Sequence, residues 1–173
     1  NSMRYAVYGP FKVPRNGKIV SREREDKDAL WDEVEHCEDG LSHACGCYVL
    51  VIRNRAWYVG LAEKQSFRQE CFSAHKIVQY DAALNEVQGV PSLLLLPKLT
   101  PADNFASPSK NGHRDIRLLE KLLIGSAITR NPDLRNIKDT KLLREMNVPG
   151  VLNSRQGQGR ADSVQLLRRA LGV

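Results

Sequence analysis

Long apolar segments are missing from this sequence. One candidate is the run of four leucines at 93–96, between Pro91 and Pro97. A membrane-spanning helix needs roughly 18 apolar residues, so this short run is better interpreted as a buried strand. The N-terminus also lacks a charged segment followed by an apolar one, so no secretion signal is expected. We therefore expect a cytoplasmic protein that does not enter a membrane.

Cysteine is also scarce, with four residues in the chain. Without a secretion signal, free thiols in a reducing compartment are the simplest interpretation. Five side chains raise the question of a structural zinc site: Cys37, Cys45, Cys47, His36 and His43. Common zinc sites pair their ligands as Cys-x2-Cys or His-x3-His, and this spacing does not follow those patterns. Cys47 lies in a predicted strand, where we expect it to be a small core residue.

The sequence contains no internal repeat, no low-complexity tract and no nucleotide-binding P-loop. The loop at 154–160 does not match the pattern Gly-x4-Gly-Lys-Ser/Thr. Its basic residues, Arg155 and Arg160, are instead candidates for contacts with a nucleic-acid backbone. The net charge is +6, and the segment 130–173 has nine Lys/Arg against four Asp/Glu. This basic tail permits a nucleic-acid partner, although a solvated surface explains the same charge.

Strand and helix patterns are mixed without regular alternation. They predict an α+β fold with a small antiparallel sheet of about three strands flanked by helices. The chain divides into an N-terminal extension (1–45), a core (46–138) and a basic tail (139–173). In chain order the patterns predict strands and turns at 4–20, a helix at 21–36, a β-hairpin of 46–52 and 56–60, a helix at 64–78, a strand at 90–99 and a helix at 114–130. The tail is predicted to contain helices at 139–146 and 161–171, the last with Val164, Leu167 and Leu171 facing inward.

Glu120 stands out because its predicted helix would bury it. At 100° per residue, it lies in the middle of an apolar face made by Ile116, Leu123, Ile124 and Ala127. A lone carboxylate in that position would cost several kcal/mol of desolvation unless it were paired or bound to a metal ion. One interpretation is a buried salt bridge to an arginine on another element. The other is a metal ligand or a catalytic acid/base in a cleft.

Two tyrosines occupy the strands of the predicted hairpin, within Gly46-Cys47-Tyr48 and Tyr58-Val59-Gly60. A single tyrosine in a strand is usually a packing residue with its hydroxyl at an edge. As a pair, however, these tripeptides resemble the two signatures of the GIY-YIG nuclease superfamily. Nine residues separate the two tyrosines, which is close to the short spacer of that family.

Other positions extend the resemblance over about 46–136. Arg68 follows the second tripeptide at the head of the next helix, where the family has its essential arginine. Glu120 lies on the later helix that carries the family's metal-binding glutamate, and Asn136 resembles the asparagine that closes the family core. Some members have a histidine or tyrosine one turn after the arginine, where this chain has Phe72. On a continuous helix, His75 would share the face of Arg68 and is a candidate supporting residue.

The resemblance requires both tyrosines on one side of the sheet. Side chains alternate along a strand, so the position numbers of paired residues must then have an even sum. A three-residue turn at 53–55 would pair Ile52 with Ala56 and Leu50 with Tyr58. A two-residue turn would place the tyrosines on opposite faces. We therefore predict an odd-length turn or a bulge.

The resemblance implies a metal-dependent endonuclease that hydrolyses DNA. Glu120 would hold one divalent ion, Mg²⁺ or Mn²⁺, because such ions accept hard oxygen ligands and keep several waters. Tyr48 would take a proton from the attacking water, Tyr58 would orient water or phosphate, and Arg68 would bind the phosphate. Asn136 would shape the site.

Two lysines, Lys64 and Lys76, are further candidates for contacts with the DNA backbone, although solvated surface positions are an equal alternative. Two other functions remain open. The chain could be an inactive module of the same type that binds nucleic acid or a protein, or an unrelated basic adaptor. RNA is a possible substrate, and neither substrate specificity nor oligomeric state follows from the sequence.

Overall fold

An antiparallel sheet lies at the centre of the protein in a computed structural model, which describes residues 3–136 and 140–173. The strands are β1 (Arg4–Tyr5), β2 (Tyr8–Lys12), β3 (Arg15–Asn16), β4 (Ile19–Val20), β5 (Gly46–Ile52), β6 (Arg55–Ala62) and β7 (Ser92–Leu99). The helices are α1 (Arg24–Cys37), α2 (Phe67–Glu70), α3 (Ala74–Glu86), α4 (Arg114–Arg130), α5 (Thr140–Glu145) and α6 (Asp162–Leu171). Single 3-10 turns lie at Leu41–His43 and Gln158–Arg160.

The main sheet has five strands in the order β1-β7-β5-β6, with β2 also paired to β7. The predicted α+β class with a small antiparallel sheet is therefore confirmed, but the sheet is larger than the three strands expected. The three predicted strands, β5, β6 and β7, form its centre and one edge. The additional strands come from the N-terminal extension, because β1 and β2 both pair with β7. β3 and β4 form a separate two-stranded sheet.

The two faces of the main sheet differ in composition. One face, here called the tyrosine face, is covered by α1 and α3 and is rich in aromatic side chains; its buried members include Trp31, Tyr48, Tyr58, Phe67 and Tyr80. The opposite face, here called the α4 face, is covered by α4 and is aliphatic, with Val49, Val59, Ile116, Ile124 and Ile128 among its buried members. A sheet covered on both sides explains why β5 is apolar at nearly every position.

The hairpin between β5 and β6 combines a tight turn with a bulge. Arg53 and Asn54 form a two-residue turn with φ values of 51° and 61°, as a type I′ hairpin turn requires. Ile52 therefore pairs with Arg55, and the predicted three-residue turn is wrong. Further along, the register shifts so that Trp57 is an extra residue in β6. A bulge was the second of the two predicted ways to bring both tyrosines to one face. The bulge at Trp57 does so by changing the alternation of side chains in β6.

The helix predicted at 64–78 is in fact two helices, α2 and α3, separated by the segment 71–73. Ser66 and Gln69 form a capping box that begins α2, and Ser73 is extended before α3 begins. Serine favours such helix starts because its side chain competes with helical hydrogen bonds. Arg68 and His75 therefore lie on different helices, so the argument that placed them on one helix face is wrong.

The tail is attached at the surface. The predicted helix at 161–171 is present as α6, but its apolar side chains do not face inward as expected. Val164 is half-buried over Gly150, whereas Leu167 and Leu171 are exposed. Among the described residues, no helix combines the length and the apolar character needed to cross a bilayer.

The cysteines are unpaired, and three of the four are buried. Cys45 and Cys47 lie in the α4 face and Cys71 in the tyrosine face. Burial raises the pKa of the Cys45 thiol to about 11, because a thiolate loses its hydration there. Burial also raises the pKa values of Cys47 and Cys71. These thiols therefore act as small apolar core residues, as predicted for Cys47.

Candidate active site

Tyr48 and Tyr58 lie side by side on the tyrosine face. Tyr48 is opposite Gly60 and Tyr58 is opposite Leu50 in the β5–β6 register. The centroids of the two rings are 6.4 Å apart. Without the bulge at Trp57, the two-residue turn would have put them on opposite faces. The prediction that both tyrosines share a face is confirmed.

The glycines of the two tripeptides are required by close packing. A Cβ atom on Gly60 would overlap the ring of Tyr48, which lies directly across from it in the hairpin. A Cβ atom on Gly46 would overlap the backbone of Leu96 in β7. Both positions lack room for any side chain, so the Gly-x-Tyr and Tyr-x-Gly patterns have a steric basis in this sheet.

Tyr48 is completely buried. Among the residues that the structure describes, none forms a hydrogen bond of ordinary geometry with its hydroxyl, although Tyr48 lies close enough to the Tyr80 hydroxyl to act against the increase in the Tyr80 pKa. Burial raises its pKa well above the ordinary value of a tyrosine, and the neighbouring Tyr80 and Cys71 act in the same direction. Tyr48 is therefore a neutral phenol in this arrangement. To accept a proton from water, its hydroxyl would first have to become accessible.

Tyr58 has a cation at its hydroxyl. Lys76 of α3 donates a hydrogen bond from Nζ to Tyr58 Oη at 3.0 Å, and the same Nζ is 3.5 Å from a carboxylate oxygen of Glu70. Burial raises the pKa of Tyr58, while the hydrogen bond and charge of Lys76 act against that increase. The side chain of Lys76 is only 16% exposed. Lys76 is therefore not the solvated surface lysine of one interpretation, and its contact with the DNA backbone stays a prediction.

Glu120 lies on α4, which covers the face of the sheet opposite the tyrosines. It is half-buried between Ile116 and Ile124, so it is less buried than the apolar pattern predicted. The physical reason is that α4 packs on β6, which is the edge strand, and part of that helix face therefore remains open. The charge of Glu120 raises the pKa values of both Cys47 and Tyr58, although burial is the larger cause in each. Its carboxylate is thus close enough to influence Tyr58 electrostatically.

Arg68 is engaged by the N-terminal extension. Its guanidinium donates a hydrogen bond to Asp28 of α1 at 2.8 Å, and Asp28 also lies 3.5 Å from Arg24. The resemblance assigns Arg68 to phosphate binding, but in this structure Arg68 is paired with the carboxylate of Asp28. Neither residue is fully buried, since their side chains are 37% and 43% exposed.

Asn136 binds the backbone of the edge strand. Its side-chain amide accepts a hydrogen bond from Val59 N at 2.9 Å and donates one to Val59 O at 2.6 Å. Nearby, Asn131 and Arg135 donate to the carbonyls of Ala56 and Trp57. These contacts cover part of the open side of β6, which would otherwise present unpaired backbone groups. Asn136 therefore fixes the open edge of β6 beside Tyr58, and its supporting role in a catalytic site stays a prediction.

A cleft of about 310 Å³ lies beside these residues and is lined by Leu61, Glu63, Lys64, Gln65 and Glu70. Lys64 is exposed at this cleft. His75 is exposed on α3, and Arg155 and Arg160 are exposed in the tail. The structure thus brings Tyr48, Tyr58 and Lys76 together, with Glu120 acting on Tyr58 through its charge, whereas the tail arginines belong to a separate surface segment.

Sequence reasoning missed Glu70 and Asp28, which contact Lys76 and Arg68. No periodic pattern identifies these two residues. Asp28 lies on α1 and contacts Arg68 on α2, and Glu70 lies on α2 and contacts Lys76 across the break that precedes α3. Glu70 and Lys76 are six residues apart, a spacing that would place them on different sides of a continuous helix.

No group of three or more metal-ligating side chains occurs within residues 3–136 and 140–173. A site that supplied every ligand from the protein would need such a group. Mg²⁺ can instead keep several waters and bind through one or two carboxylates together with substrate phosphate. Glu120 is half-buried on α4 and could supply one such carboxylate.

Comparison of the chain with known protein families, with curated proteins and with solved structures finds no match.

Proposed function

We propose that this chain is a metal-dependent endonuclease of the GIY-YIG type that hydrolyses DNA phosphodiester bonds. The proposal is carried by one observation: on the edge strand β6 the hydroxyl of Tyr58 accepts a hydrogen bond from Lys76, and the charge of Glu120 acts on the same tyrosine. A hydroxyl, a cation and a carboxylate are groups that phosphoryl chemistry uses.

The packing of the hairpin supports the same proposal. Tyr48 and Tyr58 share a face only because a bulge corrects the register of the tight turn. Gly46 and Gly60 leave no room for side chains. The features that resemble the family signatures are therefore tied to the geometry of the hairpin.

Each residue has a chemical task in this proposal. Glu120 would hold Mg²⁺ or Mn²⁺, which neutralises phosphate charge and lowers the pKa of bound water. Tyr58 contributes a fixed hydroxyl to water or phosphate. Tyr48 could take the proton of the attacking water only as a phenolate, or while it passes its own proton to a second base. Substrate and metal binding would therefore have to both expose and ionise a phenol that burial keeps neutral.

DNA is the proposed substrate because exposed cations lie both at the cleft and in the basic tail. Lys64 lies at the adjacent cleft, and Arg155 and Arg160 are exposed in the basic tail. Exposed cations of this kind bind a phosphate backbone without reading its sequence. RNA presents the same phosphates and is the alternative substrate for the assay.

The first experiment measures nicking of supercoiled plasmid with Mg²⁺, with Mn²⁺ and with EDTA. Wild type is compared with Glu120→Gln, Glu120→Ala, Tyr58→Phe and Tyr48→Phe. We expect metal-dependent nicking in the wild type and its loss in both Glu120 variants. The matched control is Glu145→Gln, which removes an exposed carboxylate of the tail and should leave nicking unchanged.

Stability must be followed in parallel, because Tyr48 and Tyr58 are buried. Tyr48→Phe removes a buried hydroxyl that has no hydrogen-bond partner among the described residues. This variant should fold at least as well as wild type, so lost nicking would indicate chemistry. If plasmid, branched DNA and RNA all stay intact while wild type and Glu120→Gln bind DNA equally, the chain is a binding module and the nuclease proposal is wrong.

A further inference from the structure

The cation at the tyrosine pair is Lys76, whereas Arg68 is paired with α1. We propose that Lys76 is the positioning residue of this site: it fixes the Tyr58 hydroxyl so that its proton is donated to a non-bridging oxygen of the substrate phosphate. This inference rests on the proposed function and assigns to Lys76 and Tyr58 the phosphate contact that the resemblance gives to Arg68.

The direction of the hydrogen bond supports this assignment. Lys76 carries three donors and no acceptor, so the Tyr58 oxygen must accept from it. The phenol proton is then left for another acceptor. An ammonium group on the oxygen also withdraws charge from the O–H bond, which strengthens its donation to an anion.

Lys76 is held in place more firmly than a surface lysine. Its Nζ contacts the Tyr58 hydroxyl, lies 3.5 Å from Glu70 and is 5.4 Å from the centroid of the Tyr58 ring. Burial lowers its pKa, but the contacts with Tyr58 and Glu70 outweigh that effect and raise it, so the ammonium stays charged at neutral pH. Glu70 also lines the 310 Å³ cleft, which connects this arrangement to solvent.

Arg68 has a different partner. Arg68 donates to Asp28 with one of its five N–H groups, and the charge of that carboxylate offsets the positive charge that Arg68 could offer to a phosphate. The Asp28–Arg68 pair joins the N-terminal extension to α2. We therefore assign Arg68 to attachment of α1.

The experiment compares nicking rates of Lys76→Met, Lys76→Arg, Arg68→Met and Asp28→Asn in the full chain. Lys76→Met should lower the nicking rate by roughly 100-fold. This is the lower end of the rate losses that follow removal of one hydrogen-bond donor to the charge that develops in a transition state. Lys76→Arg should recover part of the rate because it keeps the charge and a donor. Arg68→Met should lower the rate less than about 10-fold and lower the urea midpoint together with Asp28→Asn. Lys18→Met, a change at an exposed lysine of the extension, is the charge control.

A second readout separates positioning from packing. Tyrosine ionisation is followed by the ultraviolet absorbance of phenolate as pH rises, in wild type and in Lys76→Met. Each titration is repeated with Tyr58→Phe added. Subtracting the curve with Tyr58→Phe from the curve without it leaves the titration of Tyr58 alone. Loss of Lys76 removes the groups that lower the Tyr58 pKa, so its titration should move to higher pH. An unchanged Tyr58 titration would show that Lys76 only fills space.

The outcomes distinguish this inference from the proposed function. If wild type nicks DNA, Lys76→Met nicks normally and Arg68→Met does not, the nuclease stands and the assignment to Lys76 is overturned. If wild type binds a short duplex without cutting it, Lys76→Met should still weaken binding and reduce its salt dependence, while Arg68→Met should not. A wild type that neither cuts nor binds nucleic acid overturns both.

Discussion

Helices α4 and α6 are both amphipathic in sequence, but only α4 has a buried face. Apolar and basic residues are separated more cleanly in α6 than in α4. Nevertheless Ile116, Ile124 and Ile128 of α4 are buried, whereas Leu167 and Leu171 of α6 are 41% and 56% exposed. The comparison shows that periodicity predicts a helix and the direction of its apolar face, but not whether another element covers that face.

The largest expected effect tests this difference directly. Ile124→Ala removes a buried side chain between α4 and the sheet and should cost about 3 kcal/mol of unfolding free energy. The matched change in α6, Leu167→Ala, should cost less than about 1 kcal/mol, because little apolar area is lost from an exposed position. Urea denaturation measures both. Equal losses at the two positions would mean that α6 is covered in solution, for example by a second copy of the chain.

A smaller effect is expected from a pair of glycine substitutions. Gly60→Ala places a methyl group against the buried Tyr48 ring and should destabilise the protein by about 2 kcal/mol. Gly125 lies in α4 with open space at its Cβ position. Gly125→Ala should therefore stabilise the protein by about 0.5–1 kcal/mol, the ordinary difference between these residues in a helix.

The midpoint of thermal unfolding shows whether Gly60→Ala lowers stability and whether Gly125→Ala raises it. Tyr48→Leu in the Gly60→Ala background removes the ring and should recover part of the lost stability. If Gly60→Ala is neutral, the ring of Tyr48 is not held against β6, and the steric basis of the tripeptides is lost.

The smallest effect is expected from removal of α6. A chain that ends at residue 161 loses no fully buried side chain, since every residue from Asp162 onwards is exposed or half-buried. Its unfolding free energy should change by less than about 1 kcal/mol. It also loses Arg168 and Arg169, so its DNA affinity should fall and depend less on salt. Circular dichroism and binding titrations at two salt concentrations measure these changes, and a large loss of stability would contradict the exposed placement of α6.

Much of the fold followed from the sequence, whereas the site followed only in part. The hairpin, the strand before 100 and helix α4 were predicted close to their observed bounds, because each has a long and regular apolar pattern. The break between α2 and α3 was missed because it depends on Ser66 and Ser73, which compete locally with helix formation. The five-stranded size of the sheet was missed because β1 and β2 are short and pair with a strand far along the chain.

The sequence by itself determined the alternation along β5 and the apolar face of α4, whereas the alternation along β6 depends on the bulge at Trp57. Alternation and helical periodicity are local properties, and they are fixed by backbone geometry. Only the tertiary structure decided which charges meet: Lys76 with Tyr58, Arg68 with Asp28, and Glu120 at the edge of the sheet. The reason is physical, since contacts between residues on different elements depend on how those elements pack, and packing is not encoded in any single segment.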